Sequence, residues 1–212
     1  MPRTGRPRAF NRDEAVAAAM LLFWEYGFES TSLTQLREAM GGISAASFYA
    51  AFESKEALFY EAMKLYKSTY GQVSDSFRDK SLTPKAAIEQ VLRRSARMQT
   101  DRSHPLGCLL VLSAVNCSPE LNHIREMVAK ERQKVRGWLK DCLLRAVENE
   151  ELPPTADISV LVALFDTFLQ GISTQARDGV PYERIDAAIT QLMRIWDVLS
   201  TKPDNSGDTL IS

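Results

Sequence analysis

Histidine and cysteine are scarce, two and three among 212 residues, which leaves little for a His/Cys metal site or a His-assisted nucleophile. The cysteines, Cys108, Cys117 and Cys142, are odd in number and irregularly spaced. That pattern speaks against a disulfide framework and for a reducing compartment, so a cytoplasmic protein is expected. No glycine-rich phosphate loop, nucleophile elbow or HExxH pattern occurs. No enzyme activity, catalytic residue, cofactor or metal is therefore expected. His104 and Cys108 stand four apart, but Pro105 and Gly107 between them spoil the helical geometry a shared metal would need. Apolar runs stop short of about 18 residues, so neither a membrane span nor a membrane partner is expected. The basic N-terminus has no apolar stretch behind it, unlike a secretory signal. No segment alternates at period two, which leaves strands out.

What is present is a chain able to build a core, with 45% hydrophobic and 25% charged residues. The net charge of −1 argues, as a sum, against a nucleic-acid binder. Its distribution argues the other way. Residues 1–12 carry Arg3, Arg6, Arg8 and Arg12 and no acid. Alone, such a segment is a solvated tail; next to a DNA-reading unit it becomes an electrostatic arm.

Helical periodicity recurs along the whole chain, with glycine and proline between the periodic segments. Asn11 with Glu14 forms a capping box opening helix 1, whose inner stripe is Val16, Ala19, Met20 and Phe23 and which Gly27 ends. Ser32 with Gln35 opens a short helix to about Met40. Gly41-Gly42 break it, Ser44 caps a third helix ending near Phe52, and Ser54 caps a fourth running to about Tyr70. The polar stretch 71–82 reads as a frayed end and loop. Helix 5 follows Thr83-Pro84 to about Thr100. A short apolar helix spans about Cys108–Asn116, and a long helix 7 runs from Ser118-Pro119 to about Asn149. Helices 8 and 9 cover about Ala156–Arg177 and Pro181–Ser200. The expected fold is all-α with about nine helices. The expected divisions are a flexible basic arm (1–10), a three-helix DNA-binding domain (11–53), a connecting helix (54–70), a helical effector-binding and dimerisation domain (71–200) and a disordered tail (201–212).

Two short helices joined by a glycine turn within about 20 residues make a helix-turn-helix, here Leu33–Phe52. Leu33, Leu36, Ala39, Ile43, Phe48 and Phe52 are spaced to form its core with Phe23 and Phe28. Ala45, Ala46, Ser47, Tyr49 and Ala50 are left facing outward. Small outward residues at a helix start suit close approach to a groove floor. Alanine can touch a thymine methyl, and serine can bond base edges. Tyr49 and Lys55 are placed to hold phosphates. With Ser32, Thr34 and Ser44, and with Arg3, Arg6 and Arg8 of the arm, these are the candidate DNA contacts. The same spacing also suits a helical hairpin that binds nothing.

The run TSLTQLREAMGGISAASFYAAFESKEALFYEAM (Thr31–Met63) resembles the TetR/AcrR family of transcriptional regulators. The resemblance rests on Thr31-Ser32, Leu33, Leu36, Ala39, Gly42-Ile43-Ser44, Phe48-Tyr49, Phe52 and Lys55-Glu56-Ala57-Leu58, and covers residues 5–68. Two features depart from the family pattern. The turn Met40–Ser44 is one residue longer, which would tilt the second helix of the motif. Ala45-Ala46 stands where a lysine and a glycine are common, which removes a phosphate contact and shifts binding toward the arginine arm.

The resemblance implies a homodimer that reads a palindromic double-stranded DNA operator and represses until a small effector releases it. It implies a four-helix bundle of helices 8 and 9 from two subunits. The wide apolar arcs of these helices agree with burial on two faces, and Leu161, Phe165, Phe168, Ile189, Leu192 and Trp196 are the expected interface. It also implies a cavity between helices 5 and 8 for an apolar or aromatic effector, lined by Met98, Cys108, Leu112, Trp138 and Phe168. Cys108 has a second reading. At a helix start the backbone dipole lowers a thiol's pKa, which would suit an oxidant or electrophile sensor. Most free cysteines are instead small buried apolar residues. A helical interaction module without DNA function is the remaining alternative.

Overall fold

The structure is a computed structural model that describes residues 11–200. Among these every regular element is helical: α1 (Arg12–Tyr26), α2 (Leu33–Ala39), α3 (Ala45–Phe52), α4 (Lys55–Ser68), α5 (Pro84–Thr100), α6 (Leu109–Leu112), α7 (Asn122–Glu148), α8 (Ile158–Arg177) and α9 (Tyr182–Ser200). Two 3-10 segments, Tyr70–Arg78 and Pro119–Leu121, complete the order. The expected basic arm and C-terminal tail, including Arg3, Arg6 and Arg8, lie outside the described residues.

The helix starts follow from local chemistry. Asn11 Oδ1 accepts from the amides of Asp13 and Glu14, and its amide nitrogen donates to Glu14 at 2.9 Å. Ser32 and Gln35 satisfy each other's orphan groups in a full capping box. Ser44 Oγ accepts from Ser47 N, and Ser54 Oγ from Ala57 N. Asp157 caps α8 by accepting from the amides of Ser159 and Val160.

Two segments differ from expectation. Residues 70–78 are not a frayed loop but 3-10 helical, with Ser74, Ser76 and Phe77 buried. Polar side chains inside a buried turn leave no apolar period to read. The apolar helix expected over Cys108–Asn116 is one turn only, because after Ser113 the chain turns away.

The chain divides into two compact units. The first combines residues 11–72 with Asp101–Gln133, and the second combines Val73–Thr100 with residues from Lys134 onward. In the first unit Phe23, Phe28, Phe48, Phe52 and Phe59 are buried together. Phe23 meets Phe59 edge-on at 5.0 Å, and Phe28 meets Phe59 at 5.1 Å. Ala39 is exposed, contrary to expectation, and Met40 fills the core in its place. Thr31 is fully buried and donates to the Gly27 carbonyl at 2.6 Å, which ties α2 to the end of α1.

In the second unit α5, α8 and α9 surround a core that includes Ile88, Leu92, Leu143, Phe165, Ile189 and Trp196. A satisfied polar trio crosses it: Gln99 donates to Ser95 at 2.6 Å and accepts from Ser173 at 2.7 Å. Asp166 of α8 is buried and is held by Arg136 and Gln170 at 2.8 and 2.7 Å.

Candidate nucleic-acid interface

The turn between α2 and α3 decides where α3 points. Two glycines make its bend. Gly41 and Gly42 adopt φ of +85° and +76°, the left-handed region that costs an ordinary residue energy. Their amides return to the end of α2, Gly41 to Glu38 O at 3.0 Å and Gly42 to Arg37 O at 2.9 Å. The Arg37 guanidinium then spans the turn and donates to the Ile43 carbonyl at 2.8 Å. The residue after Ile43 is Ser44, the cap of α3. The turn is thus fastened at both ends.

Helix α3 has two sharply different sides. Phe48 and Phe52 are buried against the first unit's core. Ala45, Ala46, Ser47, Tyr49 and Ala50 are exposed, as is the cap Ser44. Tyr49 is 51% exposed, and its ring meets Phe48 edge-on at 5.4 Å, so packing aims the phenol while its hydroxyl stays free for a partner. Ser32 and Thr34, at the start of α2, are exposed too. The candidate residues from Ser32 to Tyr49 therefore share one unit, on the motif's solvent side.

Lys55 behaves differently. Its ammonium lies 4.5 Å from the centre of the Phe28 ring and donates to the Glu29 carbonyl at 3.3 Å. Burial lowers its pKa. The side chain is drawn back onto the domain rather than extended from it.

Arg12 was counted with the basic arm and has a structural role instead. It forms a two-pronged ion pair with Glu61, both oxygens at 2.6 Å, and reaches the Ala51 carbonyl at 3.4 Å. Its guanidinium also sits 5.0 Å from the Phe52 ring centre. One side chain of α1 thereby holds α3 and α4. Nothing in the periodicity announces this, nor the clasp by Arg37. The only sequence signal for Arg37 is the Gly41-Gly42 pair, which creates a turn that needs fastening.

Behind the motif lies an aromatic cluster that sequence reading also missed. Trp24 is fully buried, stacks on His104 at 4.5 Å, and meets Tyr66 and Tyr70 edge-on at 4.8 and 4.9 Å. Its indole donates to the Gly107 carbonyl at 3.1 Å. Phe28 N donates to Ser113 O at 2.7 Å, and a Cβ at Gly27 would come within 3.1 Å of that oxygen. The end of α1 is thus locked to the segment around α6.

Cys108 belongs to this region, and its surroundings speak against the sensor reading. It is partly buried, and Tyr66 donates to its sulfur at 3.2 Å. Burial pushes the thiol up, outweighing the hydrogen bonds that favour the thiolate. Burial and the neighbouring Cys108 also hold the Tyr66 phenol well above its ordinary value. The α6 helix is too short for its dipole to reverse this.

The residues expected around an effector come from both units. Cys108 and Leu112 lie in the first unit, while Met98, Trp138 and Phe168 lie in the second. Trp138 is packed against the second core under the Arg78 guanidinium, 4.2 Å from its ring centre. Phe168 lines a cavity within the second unit. That cavity is a groove of about 290 Å³ between α8 and α9, shared with Gly171, Gln175, Arg184 and Ala188.

The expected subunit-interface residues need correction as well. Leu161, Phe165, Ile189, Leu192 and Trp196 are buried in the second unit's own core. Phe168 alone is half-exposed. A helix apolar on two faces does not reveal which face is which. Positions 161, 165 and 172 turn inward, Leu164 and Phe168 lie partly buried at the edge of that core, and Val160 and Gly171 are left exposed on the flank.

Two stretches of the chain match known family models. Residues 15–62 match the model for bacterial regulatory proteins of the tetR family, and residues 84–192 match a tetracyclin repressor-like C-terminal domain. The HTH-type transcriptional repressor ComR of Escherichia coli (strain K12) is 29% identical over 92% of this chain and 93% of its own length. The HTH-type transcriptional repressor BdcR of the same organism is 27% identical over 86% and 87%. A solved cysteine mutant of the TetR family transcriptional regulator CifR, complexed with 26 bp double-strand operator DNA, superposes with a TM-score of 0.83. It is 36% identical and covers 90% of this chain and 100% of that one.

Proposed function

Because this chain belongs to the tetR family of bacterial regulatory proteins, we propose that it is a sequence-specific, DNA-binding transcriptional repressor. It acts in the cytoplasm as a homodimer on a palindromic operator and leaves the DNA when a small effector binds. The observation that carries this reading is α3, anchored by Phe48 and Phe52 while Ala45, Ala46, Ser47 and Tyr49 stand bare in solvent. An eight-residue helix that buries two aromatics and exposes only small residues and one tyrosine is shaped for a major groove.

In this reading α3 supplies the base contacts, Ser32, Thr34 and Tyr49 hold phosphates, and Arg3, Arg6 and Arg8 reach the minor groove from the arm. Lys55 contributes less than its position suggests, since its ammonium is already engaged. The reading head is residues 11–53, with helix α4 as its link to the rest. The second copy covers the outer side of α8 and α9. There Val160 and Val198 are 59% and 71% exposed, and a shallow groove offers Phe168 and Gly171. The effector is apolar or aromatic and works by binding the DNA-free conformation more tightly than the DNA-bound one.

The test is a gel shift with the DNA upstream of the protein's own gene, paired with sedimentation of the free protein. A retarded complex that survives excess unrelated DNA, and a mass about twice the 23.8 kDa of the chain, are expected. A monomer that binds all DNA alike would overturn the reading.

A further inference from the structure

The exposed face of α3 carries no side chain able to make the strong bidentate contacts by which proteins usually read bases. Guanine is read by arginine or lysine, adenine by asparagine or glutamine, and cytosine by an acid. None of these types occurs from Ser44 to Phe52. The nearest charged groups do not substitute for them. Arg37 is spent on the Ile43 carbonyl, and Glu53 has left the helix with φ of +62°. The serines are partly committed as well: Ser44 and Ser47 pair through their hydroxyls at 2.9 Å, and Ser44 also accepts the Ser47 amide. What the face offers is methyl groups, from Ala45 and Ala46 in the first turn and Ala50 one turn after Ala46.

We propose that Ala45, Ala46 and Ala50 read the C5-methyl groups of thymine, so that specificity in the major groove is apolar rather than hydrogen-bonded. The inference rests on the operator reading above. In the major groove thymine alone among the unmodified bases presents a methyl group. With Tyr49 the one long side chain exposed among them, these alanine methyls can approach the groove floor closely enough to bury the thymine methyl. The fastened turn fits this purpose. Apolar contact is short-ranged and falls off within a fraction of an ångström, so the helix must be held at a fixed depth. Arg37 bound to Ile43 and the two left-handed glycines fix the backbone just before Ala45.

The test begins with the duplex that the full-length protein selects from a random-sequence pool of unmethylated DNA. That duplex is then synthesised with thymine and, position by position, with deoxyuridine, which removes only the methyl. The selected half-site is expected to hold thymines under α3. Each deoxyuridine there should weaken binding about fourfold, or about fifteenfold when placed in both half-sites. Replacing Ala45, Ala46 or Ala50 by glycine, one at a time, should abolish the thymine–uridine difference at one position only. Melting curves and affinity for unrelated DNA show that each variant is folded. Equal binding of thymine and deoxyuridine duplexes at every position would overturn the inference and leave the operator reading standing. A pool that yields no enriched sequence would overturn the operator reading, and the thymine assignment with it.

Discussion

Arg37 and Ile43 sit on opposite sides of the helix-turn-helix turn, and the Arg37 Nε proton bridges it to the Ile43 carbonyl at 2.8 Å. The bond closes a turn whose Gly41 and Gly42 have open space around their Cβ positions and are therefore confined by hydrogen bonds rather than by packing. Removing it frees the approach to α3 without opening the core.

Arg37→Met should therefore cost about 1.5–3 kcal/mol at most, the range for a hydrogen bond from a charged group, with solvent screening pulling it lower. Its main effect should fall on operator affinity relative to unrelated DNA, because a loose recognition helix loses base contacts before phosphate contacts. Competitive binding of both DNAs to both proteins checks this. An equal loss on each DNA would mean that Arg37 holds phosphates instead.

Phe48 and Tyr49 are neighbours with opposite fates. Phe48→Ala should destabilise the fold by about 3–5 kcal/mol, the cost of emptying a fully buried aromatic site. Tyr49→Phe should leave stability within about 0.5 kcal/mol. It should weaken binding to specific and unrelated DNA alike, since phosphates carry no sequence. Denaturant unfolding and DNA titration on both variants separate the two. A Tyr49→Phe protein with intact total affinity but altered sequence preference would show that the phenol reads a base.

These contrasts show what the sequence could and could not reveal. The caps Asn11, Ser32, Ser44 and Ser54 were legible because a cap is a local event, settled by a side chain and amides two or three residues on. The outward face of α3 was legible because Phe48 and Phe52, four apart, fix the inward one. The assignment of Leu161, Phe165 and Trp196 to a subunit interface failed for a physical reason. Two apolar faces on one helix have the same period, and only tertiary packing selects the core side. Ala39 and Met40 changed roles at a helix end, where the last turn rotates the face. The Trp24–His104 stack and the Arg12–Glu61 pair join residues far apart in the chain, and no local pattern encodes them.

Acid should act on the second unit through Asp186. A hydrogen bond from Arg93 lowers its pKa, aided by Tyr182. A carboxylate depressed in the folded state stabilises the fold above its unfolded pKa, about 3.9. That contribution disappears as pH falls through the lower folded value. Wild type should therefore be more stable than Asp186→Asn at neutral pH, and the two should converge in acid. Denaturant melts from pH 7 down to about 3 read the difference directly. A gap that stays constant in acid would show that the pair does not set it.

Cys108 should be inert as a switch. Its thiol is pushed up by burial and so stays protonated near neutral pH, and the thiolate is the reactive form. Mild oxidant or electrophile should release operator DNA equally, or not at all, from wild type and Cys108→Ser. Release from wild type alone would make this cysteine the sensor.

The central claim is that α3 reads sequence. The direct measurement is the ratio of dissociation constants, at one fixed salt concentration, for the DNA the protein selects and for a scrambled duplex of equal length and composition. Specific recognition predicts a ratio of about a thousandfold or more. A ratio near one, with both affinities falling together as salt rises, would mean that the protein binds only phosphates and that α3 reads nothing.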